Sequence, residues 1–240
     1  MKRFLFFTVL IITLFTSCRE ILGKKIKGNG HITRQARSME SFSGVNVSGN
    51  IDVILSSDSA RSVSVETDSN LTQYIITEVR GDMLNISYKK GINPKPTKTV
   101  NVFVSSPSFA KLKASGACDI NTSNKITSTG TIDLTLSGSS DARLELNAPR
   151  VEASLSGACT VQMKGETKDL VIKGTGSTDI KCFELMTENA NIRISGAGEA
   201  EVNASLKLDV KVTGAGTVKY KGNAQVSQSV TGSGSVKKVE

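Results

Sequence analysis

The chain has 240 residues, 38% of them apolar, enough to bury a substantial core in one or two domains. Aromatic residues make up 5%, with no Trp, against 21 Gly, which suits a narrow core of small aliphatic side chains. The net charge of +8 is mild, and the basic residues are scattered among 22 acids. A nucleic-acid binder would gather them into a stripe interleaved with aromatics, so nucleic acid is excluded as a partner.

Residues 1–17 read as an export signal: Lys2 and Arg3 lead, an apolar run follows, and Thr16 and Ser17 are small. That run is too short for a permanent membrane-spanning helix. Leu14-Phe15-Thr16-Ser17-Cys18 has the order of a bacterial lipobox, so Cys18 is the expected lipidation site and mature N-terminus. The alternative is an ordinary secretory peptide with a chance cysteine. The lipid on Cys18 would make the membrane a partner and place the protein in the cell envelope as an outer-membrane lipoprotein. Periplasmic side and cell surface both stay open, since Arg19-Glu20 begin no acidic run. Residues 18–37 read as a polar, basic tether, and residues 38–240 as one head domain.

Within the head, residues 38–109 show short alternating runs: Val45/Val47, Ile51/Val53/Leu55 and Val63/Val65, the period of half-buried strands. Residues 75–79 and 83–88 flank Arg80-Gly81-Asp82. That tripeptide is known from host adhesion, and as Gly-Asp in a hairpin turn it is equally accounted for by turn chemistry. Residues 91–98, with Pro94 and Pro96, read as a loop, and residues 100–104 as a further strand. The only helical candidate is short, over residues 71–76.

From residue 110 onward one phrase returns: Ser115-Gly116-Ala117, Ser137-Gly138-Ser139, Ser156-Gly157-Ala158, Thr175-Gly176-Ser177, Ser195-Gly196-Ala197, Thr213-Gly214-Ala215 and Thr231-Gly232-Ser233. Its glycines are spaced by 22, 19, 19, 20, 18 and 18 residues. Before each Gly lies a strand with alternate apolar residues, such as Ile132/Leu134/Leu136, and after it a second one, such as Ala142/Leu144/Leu146. A fixed period near 20 predicts an all-β fold, a parallel β-helix (solenoid) with coils of about 18–22 residues and the Gly at a corner where no Cβ fits. A meander of hairpins would need regular Asn-Gly or Asp-Gly turns, which are scarce. In this register Cys118 and Cys159 occupy one corner position two coils apart. The separation of about 9.6 Å, twice the strand spacing, is too great for a disulfide. Cys118, Cys159 and Cys182 are therefore expected to be free.

Catalytic chemistry is sparse. The one His, His31, lies in the tether, no Cys-x-x-Cys occurs, and no Gly-rich loop leads from a strand into a helix. No catalytic residue, metal or cofactor is therefore expected. Asp119, Asp141, Asp179 and Glu199 share the position three residues after the repeat Gly, with Thr160 interrupting. Such a ladder could hold a weakly bound cation or contact carbohydrate, in the manner of a polysaccharide lyase or glycosidase. Turn chemistry alone also favours Asp there. On the other strand face, Lys173, Arg193 and Lys211 form an outward file beside the Ser/Thr ladder and are the candidate ligand face.

Taken in order, Ser48-Gly49-Asn50-Ile51-Asp52-Val53, Val79-Arg80-Gly81-Asp82-Met83-Leu84-Asn85-Ile86, Val100-Asn101-Val102-Phe103-Val104 with Pro107, and the repeated phrases resemble the family described as putative auto-transporter adhesin, head GIN domain. The resemblance spans residues 42–237. It implies a right-handed β-helix, export as a lipoprotein in Bacteroidetes-type bacteria, and no established enzymatic activity. The expectation is a non-enzymatic envelope lipoprotein, an adhesin or binding module for a glycan or protein ligand. The alternative is a carbohydrate-active β-helix using the acidic ladder.

Overall fold

Alternate residues of most strands between residues 44 and 218 are buried, and they meet in one continuous core running from Phe42 to Val218. The computed structural model describes residues 23–240, so the leader, Cys18 and the start of the expected tether lie outside the described residues. Toward the N-terminus the strands are β1 (Lys24–Lys27), β2 (Ile32–Arg37), β3 (Gly44–Gly49), β4 (Ile51–Ser57) and β5 (Ser62–Asp68). A 3-10 turn, Thr72–Tyr74, precedes β6 (Ile75–Arg80), β7 (Met83–Tyr88), β8 (Ile92–Lys95) and β9 (Val100–Ser106). The repeats supply β10 (Lys111–Gly116), β11 (Asp119–Thr122), β12 (Ile126–Thr127), β13 (Thr131–Gly138) and the long β14 (Asp141–Gly196). They end with β15 (Glu199–Gly214), β16 (Thr217–Lys221), β17 (Gln225–Gly232) and β18 (Ser235–Lys238).

The expected right-handed parallel β-helix is corrected by the strand pairing. The main sheet is mixed, running β2-β5-β9-β4-β11-β14-β13-β10-β3-β7-β6 along its principal path. Strand β2 lies antiparallel on β5, β5 antiparallel on β9, and β6 antiparallel on β7. The result is an all-β fold in which one mixed sheet wraps the core into a nearly closed, barrel-like shape. The physical reason lies before residue 110, where the glycine phrase occurs once, at Ser48-Gly49 stacked beside Ser115-Gly116, and hairpin chemistry takes over around it. Gly81 adopts φ 59, reversing the chain between β6 and β7, and these antiparallel strands cover sheet edges that would otherwise be open.

Within the repeats the pairing is parallel and phrase lies beside phrase. Gly116 pairs Gly138, Gly138 pairs Gly157, Gly196 pairs Gly214 and Gly214 pairs Gly232. At Gly157 (φ 108) an added Cβ would stand 2.4 Å from the Gly138 carbonyl oxygen, so only glycine fits between stacked backbones. Cys118, Cys159 and Cys182 are free and buried.

The described part of the segment read as a tether carries β1 and β2. Strand β1 pairs β8, whose residues belong to the stretch read as a loop. Asp68 fastens this region. Its fully buried carboxylate accepts hydrogen bonds from the Gly30 N–H (2.6 Å), the Thr97 N–H (2.8 Å) and the Thr97 hydroxyl (2.8 Å). Burial pushes the Asp68 carboxyl up, but these donors together outweigh it and hold the group below the usual carboxylate range.

Candidate functional site

The acidic ladder exists as a row, and every step of it is occupied. Asp119 pairs Asp141 across β11 and β14, and Asp179 pairs Glu199 across β14 and β15. Sequence reading missed a further member, Asp52, whose Oδ1 accepts the Asp119 N–H at 3.1 Å. One repeat further on, the Thr160 N–H donates to Asp141 Oδ1 at 3.0 Å. The carboxylates thus bind the backbone of the neighbouring repeat, as short acids do in turns.

Cations neutralise three of these acids. Arg143 reaches Asp119 at 3.4 Å, Lys181 reaches Asp179 at 2.8 Å, and Lys219 reaches Glu199 at 2.5 Å. The hydrogen bond that each lysine donates to its acid raises the pKa of Lys181 and of Lys219. Burial raises the Asp52 carboxyl above its ordinary value, against the backbone hydrogen bond it accepts from Asp119. Among the described residues no group of three His, Cys, Asp or Glu is placed to hold a metal ion. Lys181 stands two residues after the Asp179 it serves, on the same strand face, a spacing readable in the sequence. Arg143 and Lys219 instead reach an acid of the neighbouring repeat, one strand over, a relation that only the register shows.

The basic file differs in one respect. Arg193 and Lys211 are register partners on β14 and β15, and Lys173 stands three residues before Gly176, which stacks beneath Gly196. All three side chains are exposed. Arg193 Nε donates to Asn191 Oδ1 at 3.2 Å, and none of the three makes an ion pair among the described residues. Like charges on neighbouring strands, about 4.8 Å apart, repel one another, so an anion laid along them relieves a cost the free protein carries. The exposed hydroxyls of Thr175, Ser195 and Thr213 run alongside, with Ser195 pairing Thr213.

Two open cavities flank these rows. One, of about 680 Å³, lies under residues 94–99 and is lined by Asn50, Asp52, Lys95, Lys98 and Asp119. The other, of about 450 Å³, is lined by Asn147, Glu166, Met186, Thr187, Asn203 and Ser205. The lining hydroxyls of Thr97, Thr187 and Ser205 are already engaged, donating to the Asp68 carboxylate, the Asn203 carbonyl and the Thr187 carbonyl. The buried thiols are poor nucleophiles as well: burial pushes Cys182 up to about 12 and also raises Cys118. His31 lies exposed near the start of β2, its carbonyl accepting the Ser69 N–H at 2.8 Å.

Comparison with known proteins adds the following. A family model described as "Putative auto-transporter adhesin, head GIN domain" matches residues 41–224. Among solved structures, a putative adhesin from Bacteroides fragilis is similar with a TM-score of 0.82 at 19% identity, covering 89% of this chain and 100% of that one. A putative adhesin from Parabacteroides distasonis is 27% identical with a TM-score of 0.74, covering 90% and 100%. A putative lipid binding protein from the same species is 25% identical with a TM-score of 0.73, again covering 90% and 100%. No curated protein matches the sequence.

Proposed function

The chain belongs to the family of putative auto-transporter adhesins with a head GIN domain, and on that premise we propose that it is a binding module of the cell envelope that holds an anionic glycan without turning it over. The observation that carries this reading is the row Lys173, Arg193 and Lys211: three exposed cations without ion pairs beside a ladder of hydroxyls. Charge-assisted hydrogen bonds from guanidinium and ammonium groups suit carboxylate or sulfate groups, and the hydroxyls suit those of sugars. A linear polymer lying across the strands meets one cation per repeat. Of the acids that an enzymatic reading would use, Asp119, Asp179 and Glu199 are paired with Arg143, Lys181 and Lys219, and Asp141 accepts the Thr160 N–H, which favours binding over catalysis.

The leader supports an exported protein, with Cys18 as lipid anchor to the outer membrane. One arm of the test uses acidic, neutral and sulfated glycans arrayed against the protein; the other uses anionic lipid vesicles, because one structural neighbour is described as a lipid binding protein. Retention on acidic glycans alone supports the reading. Retention on vesicles with none on glycans, or equal retention on neutral sugars, overturns it.

A further inference from the structure

The two ends of the wrapped sheet are treated differently. At the N-terminal end the outermost strands are β2 and β6, which carry Arg34, Arg37, Glu78 and Arg80, the charged edges by which sheets resist pairing. At the other end, among the described residues, β17 pairs only with β15, and β18 only with β16. Strand β17, Gln225–Gly232, has no charged residue and no proline, so nothing in it opposes a further strand. Its inward positions cover the end of the core incompletely: Val230 is 39% exposed, and Gln228 stands beneath Val210.

The order of residues in this edge is a palindrome, Val226-Ser227-Gln228-Ser229-Val230. We propose that β17 is a self-recognition edge, through which two copies of this chain join as a two-fold dimer by antiparallel β17–β17 pairing centred on Gln228. In that register Gln228 faces its own copy, Ser227 faces Ser229, and Val226 faces Val230. Both valine pairs lie on the core side, so each closes the open end of the other copy. A register centred on either serine sets valine against glutamine, and because side chains alternate, a one-residue slip would turn the valines outward. The charged edges β2, β6 and β18, the last carrying Lys237 and Lys238, leave a second copy's own β17 as the matching occupant. The pairing extends one outward sheet face through both molecules, placing two basic rows on it, so an extended polyanion engages the pair with bivalent avidity.

Directly opposed residues in antiparallel strands have Cα atoms roughly 4.5–5.5 Å apart, within reach of a disulfide, whereas residues two positions out of register are not. The experiment places Gln228→Cys in the full chain and oxidises intact producing cells, with the unsubstituted chain as background. The native cysteines of the described residues are buried and do not compete. The expected result is a reducible species of twice the chain mass for Gln228→Cys and about a tenth as much or less for Ser229→Cys alone. Ser227→Cys combined with Ser229→Cys in one chain restores it. Equal cross-linking at Gln228→Cys and Ser229→Cys, no cross-link at Gln228→Cys in a chain whose circular dichroism is unchanged, or a product whose mass shows a different chain on the edge would each overturn the proposal.

Discussion

Asp68 shows how one residue organises a region that sequence patterns describe poorly. Its carboxylate ties Gly30 in the N-terminal segment to Thr97 in the stretch before β9, so truncation strands three donors at once. Asp68→Ala is expected to lower unfolding free energy by about 2–3 kcal/mol in urea titrations, the cost of leaving such donors unpaired. The pH dependence has a definite sign. The folded carboxyl lies below its unfolded value of about 3.9, so its contribution is complete above that pH and vanishes as pH falls through the folded value. Melting of the wild-type chain between pH 6 and pH 2.5 should therefore lose an acid-sensitive component that Asp68→Asn lacks. The cysteines make a second residue-scale prediction. With Cys182 pushed up to about 12 by burial, a thiol reagent at pH 7 should leave Cys118, Cys159 and Cys182 unlabelled until denaturant is added. Labelling of the native protein at any of the three would contradict the buried placement.

At the scale of elements, the glycine corners and the acidic row carry the argument. Gly157→Ala puts a Cβ against the Gly138 carbonyl at 2.4 Å in a backbone with φ 108, where neither partner is a flexible side chain. Its expected cost is about 2 kcal/mol or more, read as a lower urea midpoint with unchanged slope. The acidic row predicts the opposite kind of result. Its ion pairs are exposed, so Arg143→Ala should change stability by less than about 1 kcal/mol. Calcium or a chelator should leave the melting temperature where it is. The phrase-beside-phrase register was legible because Gly116, Gly138 and Gly157 must stack once the apolar positions face one core. Strand β2 was not legible, because Ile32–Arg37 has no apolar alternation: it is held by backbone pairing to β5 and by Arg34 resting 3.7 Å over the Phe103 ring. Strand β8 was hidden by Pro94, which reads as loop until its partner β1 is known.

For the whole molecule, extrapolating the period of residues 110–240 backwards gave too regular an architecture. Before residue 110, β3, β4, β7 and β9 keep the parallel pairing, while β2, β5 and β6 run against their neighbours, β6 by the tight turn at Gly81, and make the sheet mixed. The site was legible in part: Lys173, Arg193 and Lys211 emerged from the outward positions of aligned repeats. Their lack of ion pairs, in contrast to the paired acids, needed the positions of Arg143, Lys181 and Lys219 in space. The most direct measurement is the affinity of the unsubstituted chain and of Lys173→Ala/Arg193→Ala/Lys211→Ala for a linear polyuronate at low and high ionic strength. The account predicts a loss of about tenfold or more in the triple variant, near 1.4 kcal/mol. It also predicts weakening by salt in the unsubstituted chain, because exposed charges are screened. Equal affinity of the two chains, or binding indifferent to salt, would contradict it.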